Sequence, residues 1–570
     1  MLRHIETAMS VLGLSVMAAL VAEYGFGWAP AASGAAHAAE FAAAYLFCAL
    51  QALKLFAVPS ALRYLARNWL DFTLVFLMLF QLAAGFGVQG SAEYQYLLDE
   101  GSKLPLASIS LVFVQCYFLA VAVLESPLLH RLLLRLKLSP APLLAASFLL
   151  LIAGGTLLLK LPRAAAHGAE LSWVDALFTA ASAACVTGLT TVDPGSSFSA
   201  LGQFALLCLI QLGGLGILSF TAFIAIFSGE SLSEAAPLKE LFDADNLAEL
   251  RTFILRLVGV AFLAEAAGAA LLYQALAPQV ADPFLRFFHA LFHSVSAFCN
   301  AGFSLYRDNM HSLRGDLTAM STLMALMLAG AIGYPILVYL PRTLSRAARG
   351  KFSKVSAHIK TVLAANFILI AGGGLLFLLC ENGGLLSGMS LRQRLLAALF
   401  MPVTARTTGF QIFDLGGLGL FSVIVLITLM FIGGAPASAA GGLKVTGAAA
   451  LWARFRSLFT GSREMSVFGE RLGSGVVSKA ALIAALLAVS ALSASVLVWL
   501  LEPVTYAQAL FEAVSAVCTV GLSMGITSSL SAASKLVLIA CMFLGRVGPV
   551  LVVLLYNSGH EQKDEAVILG

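Results

Sequence analysis

The chain has 570 residues, 60% hydrophobic and only 11% charged, with a mean hydropathy of +0.93 and a formal net charge of +4. Soluble domains carry about 25% charged residues, so the solvent for most of this chain must be lipid. So small a net charge gives no reason to expect a nucleic-acid partner.

Four apolar runs open the chain, near residues 8–29, 36–58, 69–89 and 105–124. The first follows Met1-Leu2-Arg3-His4 without a small-residue cleavage site, and reads as a retained span rather than a removed signal peptide. The four lack the regularly spaced arginines of a voltage sensor, since only Arg63 and Arg67 cluster and they fall in a loop. Eight more runs follow near 140–162, 200–228, 252–277, 317–341, 358–380, 418–450, 478–501 and 533–556. At about 1.5 Å per residue each of the twelve is long enough to cross about 30 Å of hydrocarbon. Between the later runs lie four shorter apolar segments, 173–187, 284–301, 392–408 and 505–520. These are too short to span, and re-entrant half-helices buried in protein are the natural reading. The eight cysteines show no Cys-x-x-Cys and no histidine pairing, and read as small buried apolar side chains.

Basic residues set the direction. Arg3, Arg63 with Arg67, and Arg131-Arg135-Lys137 alternate with uncharged or acidic loops such as Glu93 to Glu100. The phase continues in Arg342, Arg346, Arg349, Lys351 and Lys354, and again in Arg454, Arg456 and Arg463. The positive-inside rule then puts both termini in the cytoplasm. The acidic loop from Glu230 to Glu249 is the exception.

Each half-helix leads into a glycine. The segments read Ser182-Ala-Ala-Cys-Val186-Thr187-Gly188, Ser296-Ala-Phe-Cys-Asn300-Ala301-Gly302, Val403-Thr-Ala-Arg406-Thr407-Thr408-Gly409 and Ser515-Ala-Val-Cys-Thr519-Val520-Gly521. The glycines are 114, 107 and 112 residues apart. An Ala-Leu-Phe lead (Ala176 to Phe178, Ala290 to Phe292, Ala509 to Phe511) precedes three of them in one register, and Ala398 to Phe400 sits one residue closer to Gly409. Repetition of a helix, half-helix, helix unit in this register favours a ring around one axis over four helix-packing glycines. Such a ring can replace a cation's water with main-chain oxygens. Glycine permits the backbone angles and the close approach that this needs, and the C-terminal end of each half-helix adds partial negative charge. No carboxylate lies within the four segments, which favours carbonyl coordination over an acidic ring.

The run 418–450 is interrupted by Gly433-Gly434-Ala435-Pro436-Ala437-Ser438-Ala439-Ala440-Gly441-Gly442, a poor helix interior. A true break there survives in lipid only where protein or water satisfies it, as in a loop lining a pore. Leu443 separates Gly442 from Lys444 and no strand precedes, so a phosphate-binding loop is excluded. Arg546 stands mid-span and needs a cavity or a partner, either helix-end carbonyls or that loop. Lys444 is expected to snorkel to the cytoplasmic surface. Glu512 reads as a partner of filter amides or a source of cation attraction, and Asp193 as a solvated loop charge, with cation attraction in the outer vestibule as its alternative.

Together these segments, with Gln211-Leu-Gly-Gly-Leu-Gly216 and Gly545-Arg-Val-Gly-Pro549, resemble the Trk/Ktr/HKT superfamily of potassium transporters, the Ktr-type membrane subunit above all. The resemblance covers about 140–556. It implies an all-α integral membrane protein with four M1–P–M2 pore repeats in pseudo-fourfold arrangement, at 136–235, 236–345, 346–460 and 461–570. The N-terminal transmembrane helices of 1–135 are an accessory domain. It implies K+ as the transported ion, Na+ as a candidate activator, and no covalent cofactor. A homodimer in the cell inner membrane, and a separate cytoplasmic RCK/KTN-type nucleotide-binding subunit, complete the expectation. Relatives with serine at the first filter position tend toward sodium, so Gly188 favours potassium. The filter residues are then Val186, Thr187 and Gly188; Asn300, Ala301 and Gly302; Thr407, Thr408 and Gly409; and Thr519, Val520 and Gly521. The gate comprises Gly433 to Gly442 with Arg546. A sodium-conducting or weakly selective transporter of the same fold is the alternative. A secondary carrier would need inverted repeats, and no catalytic constellation suggests an enzyme.

Overall fold

The computed structural model describes residues 46, 50, 53, 140–166, 171–227, 247–334, 336–337, 356–462 and 464–559. Apart from residues 46, 50 and 53, the four N-terminal runs lie outside the described residues, as do most of the basic loops that set the orientation and the acidic loop near Glu230. All elements below belong to the compact unit Leu138–Gly570.

The described elements are almost wholly helical and fall into four successive quarters. The first holds α1 (Pro140–Leu159), the short α2 (Trp173–Ala184) and α3 (Ala200–Phe227). The second holds α4 (Leu247–Ala275), α5 (Pro283–Phe298) and α6 (Leu317–Ala331). The third holds α7 (Ala357–Glu381), α8 (Leu391–Ala405), α9 (Leu420–Phe431) and α10 (Val445–Thr460). After a two-residue hairpin, β1 (Ser466–Val467) with β2 (Glu470–Arg471), the fourth holds α11 (Ser474–Leu501), α12 (Tyr506–Val517) and α13 (Ala532–Gly559).

Each short helix starts where a side chain satisfies its first free amides. Ser172 accepts from Asp175 N, and Asp282 accepts from Phe284 N and Leu285 N. Ser390 with Gln393 and Thr505 with Gln508 form capping boxes. Each of these four helices then packs between the two helices that flank it in its own quarter and one from the quarter before: α2 also touches α13, α5 touches α3, α8 touches α6, and α12 touches α9. That order closes on itself.

Four helices, or parts of them, are long and apolar enough to cross a membrane: Arg256–Ala275, Ala357–Glu381, Ser474–Leu501 and Ala532–Val552. Their outward faces expose large apolar side chains, such as Leu263, Phe367 and Leu500, while threonines and arginines are buried within. This inverted polarity suits a hydrocarbon solvent. The expectation of one unbroken span over 317–341 fails: α6 stops at Ala331, and Gly333 takes φ +95°. The freed backbone groups are satisfied by another quarter of the chain, which is why local apolarity did not reveal the break.

Candidate functional site

The four glycine segments meet. At each one the short helix ends because a non-glycine residue turns left-handed: Val186 (φ 56°), Asn300 (56°), Thr407 (71°) and Thr519 (50°). Two residues on, Gly188, Gly302, Gly409 and Gly521 are left-handed again, at φ 93°, 65°, 87° and 95°. Left-handed Val and Thr are strained by about 1–3 kcal/mol each, and persist only where the surroundings over-determine them.

A methyl group built on any of the glycines would strike the next segment. From Gly188 it meets the Ala301 carbonyl oxygen and comes within 3.3 Å of the Gly302 Cα. From Gly302 it meets the Thr408 oxygen, with Gly409 C at 3.0 Å. From Gly409 it meets the Val520 oxygen, with the Gly521 Cα at 2.7 Å. From Gly521 it meets the Thr187 oxygen, with the Gly188 Cα at 3.1 Å. The fourth segment thus closes on the first, and the four carbonyls just before the glycines belong to one ring. Thr187, Thr407 and Thr519 are buried beside it, with hydroxyls that make no hydrogen bond among the described residues.

On one side of the ring opens a cavity of about 250 Å³, lined among others by Gly188, Gly302, Gly521, Gln411, Ser523 and Asp193. Asp193 caps a short turn by accepting from Gly195 N (3.2 Å) and Ser196 Oγ (2.6 Å) while facing this cavity.

Hydroxyl side chains that sequence reasoning had not singled out hold the segments from behind. Ser182 Oγ accepts from Gly188 N and Ser515 Oγ from Gly521 N, both at 3.0 Å. Ser296 Oγ donates to the Phe303 carbonyl and Thr404 Oγ1 to that of Phe410, both at 2.8 Å. Thr404, not Val403, is therefore the counterpart of the three serines. The third quarter is one residue shorter here, as its Ala-Leu-Phe offset had indicated.

On the other side of the ring, α9 and α10 are separated by a buried loop containing Gly433 to Gly442. Its neck is a short ladder: Gly433 N donates to Leu443 O (2.9 Å), Leu443 N to Phe431 O (3.1 Å) and Val445 N to Gly434 O (3.0 Å). Its body sits on the broken end of α6 through Ala435 N to Ala331 O (2.8 Å), Ala439 N to Gly330 O (3.2 Å) and Tyr334 N to Ala437 O (2.9 Å). A Cβ on Gly441 would collide with the Thr519 hydroxyl, so the loop lies directly against the base of the fourth segment.

Two buried arginines hold this loop from opposite ends. Arg546 donates to the carbonyl of Ala439 in the loop and, at 2.8 Å, to that of Gly213, which lies in the middle of α3 and not at a helix end. Arg406, three residues before Gly409, donates to Asn366 Oδ1 of α7 and to Gly433 O at the neck (2.7 Å). The sequence places Arg406 within the third segment without indicating its partners. Its companion signal was Asn366, the one polar side chain in the otherwise apolar stretch 362–379 of α7. The snorkelling expected of Lys444 is corrected: its Nζ turns back to the Ala440 carbonyl, because the loop offers it an acceptor one turn away. Glu512 does meet an amide of the fourth segment's exit, accepting from Met524 N at 3.0 Å.

Comparison with known proteins places this arrangement among transporters. The family model described as TrkH, a cation transport protein, matches residues 141–565. The potassium/sodium uptake protein NtpJ of Enterococcus hirae is 33% identical over 452 residues, covering 76% of this chain and 98% of that protein. The Ktr system potassium uptake protein B of Bacillus subtilis is 35% identical over 427 residues, covering 72% and 92%. The crystal structure of the potassium transporter TrkH from Vibrio parahaemolyticus aligns with a TM-score of 0.58 at 19% identity, covering 79% of this chain and 91% of that one. That likeness is one of fold.

Proposed function

Because the chain belongs to the TrkH family of cation transport proteins, transporters and not enzymes, we propose that it carries out potassium uptake across the cell membrane. The observation that carries the reading is the closed ring of Gly188, Gly302, Gly409 and Gly521, each packed on the carbonyl before the next. In this reading the four quarters are M1–P–M2 pore repeats about one axis. Carbonyls from residues 186–188, 300–302, 407–409 and 519–521 replace the hydration of a dehydrated cation, and the C-terminal ends of α2, α5, α8 and α12 add partial negative charge.

The loop from Gly433 to Gly442 is the gate. It presses on Thr519 from the side opposite the cavity, and its seat on α6 and on Arg546 consists of a few hydrogen bonds that can exchange for water. The buried charge of Arg546 also opposes cation passage while the loop is seated. Both termini face the cytoplasm, the cavity faces outside, and the protein works as a homodimer with a separate nucleotide-binding regulatory chain. Na+ is a candidate activator.

The name of the Enterococcus hirae relative, a potassium/sodium uptake protein, favours a second reading in which sodium permeates as well. One experiment separates the two. Purified protein in liposomes should take up 86Rb+ or K+ against a saturating Na+ background with little competition. Equal competition by Na+ supports the second reading, and no alkali-cation flux under any gradient sinks both.

A further inference from the structure

Behind the filters, one position in each short helix follows directly on the Ala-Leu-Phe lead: Thr179, His293, Met401 and Glu512. The four are equivalent in place and differ in chemistry. Glu512 is fully buried and gathers the exit of the fourth segment. Its Oε1 accepts from Met524 N (3.0 Å) and Ser523 Oγ (2.5 Å), and its Oε2 from Thr527 Oγ1 (3.0 Å). His293 does the same for the second segment. Its Nδ1 lies 2.7 Å from the His289 carbonyl and must donate to it, which leaves Nε2 to accept from Leu305 N (3.2 Å) beside Ser304 Oγ (3.1 Å). The Thr179 hydroxyl makes no hydrogen bond among the described residues, and Met401 has no donor or strong acceptor to offer.

The ring order makes the second and fourth segments diagonal neighbours. The exit of the third is held secondarily: Gln411 Nε2 donates to Ser523 O (3.2 Å), the residue that Glu512 fixes, and Gln411 N donates to Asn309 Oδ1 (3.2 Å).

We propose that Glu512 and His293 are positioning residues for ion selectivity, which pin the outer exits of two diagonally opposed filters and leave the other two to follow. This rests on the filter reading above. A ring of carbonyls discriminates by size only while it resists collapse onto a smaller ion, and that resistance lies in the groups behind it. Two corners braced from this position and two without that brace make a mouth of twofold, not fourfold, character.

The test is the alkali-cation permeability series of the full-length protein in a planar bilayer, read from reversal potentials. Reversal potentials do not depend on how much protein is folded. Glu512→Gln conserves volume but puts an amide where three donors converge, and Ser523→Ala removes one donor with the carboxylate intact. Each should lower the K+ over Na+ ratio by roughly tenfold, the scale of one hydrogen bond to a charged group. The double variant should fall no further than the worse single one. His293→Leu should act alike, and His293→Gln, which keeps an acceptor for Leu305 N, should recover most of the ratio. Thr179→Val should leave it unchanged. Reduced conductance with an unaltered ratio in the Glu512, Ser523 and His293 variants overturns the proposal, as does an equal fall in Thr179→Val. A wild-type protein that shows no preference for K+ overturns the potassium reading instead. The order of permeation among Rb+, K+, Na+ and Li+ in the variants still decides the pins. For any variant too poor in conductance, the shift in thermal unfolding between K+ and Na+ buffers gives the same comparison.

Discussion

Gly188 shows how little room one residue leaves. Its φ of +93° is a backbone state that L side chains rarely adopt, and its missing Cβ is where the Ala301 carbonyl stands. A serine there must move the first or the second segment, so at least one oxygen of the ring leaves its place. The left-handed strain alone is worth about 1–2 kcal/mol, enough to weaken discrimination by roughly tenfold. Gly188→Ser is therefore expected to admit Na+ nearly as well as K+ in competitive flux, with the protein still folded. A mutant as selective as the parent would remove Gly188 from the filter. Val186, Thr407 and Thr519 carry the same left-handed turn without glycine's freedom, so the strain at the ring is shared by neighbours that hold it in place.

At the scale of elements, the interrupted α9–α10 helix and the broken end of α6 are one device. Neither is satisfied alone: the amides of Ala435 and Ala439 use carbonyls that α6 frees by stopping at Ala331, and the Tyr334 amide uses Ala437 O. Arg406 fastens the neck, where the ladder already holds, whereas Arg546 fastens the far side. In the proposed gate the neck would serve as the hinge and the α6 and Arg546 contacts as the latch. Deleting residues 436–440 should raise K+ flux in liposomes several-fold while the K+/Na+ ratio stays as in the parent. Gly333→Ala should act in the same direction with the loop complete, because it forces a side chain to φ +95° and places a Cβ 2.8 Å from Pro436 O. Unchanged flux in both folded variants would exclude the loop as a barrier.

For the whole molecule, the cyclic packing of each short helix on the preceding quarter means that the ring and the bundle are one structure. In the proposed reading a cation bound by oxygens from all four quarters would tie them together, and a ligand held only by the native state raises stability by RT ln(1 + [L]/Kd). The unfolding temperature in detergent should therefore rise with K+ and rise less with Na+ at equal ionic strength, by about 1 °C per kcal/mol of binding for a unit of this size. Identical curves in the two salts would count against a shared site. The quarters succeed one another in the same direction around the ring, unlike the inverted repeats of many secondary carriers.

What could be read from the chain alone is what repeats or what is locally costly. The four glycines at nearly constant spacing are legible as a repeat, while the Ala-Leu-Phe register with its one-residue slip before Gly409 and the Pro-Gly-rich interruption each leave a signature within about ten residues, because backbone strain and helix breaking are local. Tertiary structure decided everything that depends on a partner from another quarter. Arg546 reaches Gly213 across 333 residues, and the loop rests on an end of α6 that looks continuous by apolarity. Glu512 and His293 take their roles from donors at the exits, while Thr179 and Met401 stand in the same register without such a role. Hydrogen-bond partners are chosen by position in space, and only the closed ring of helices puts these groups within reach of each other.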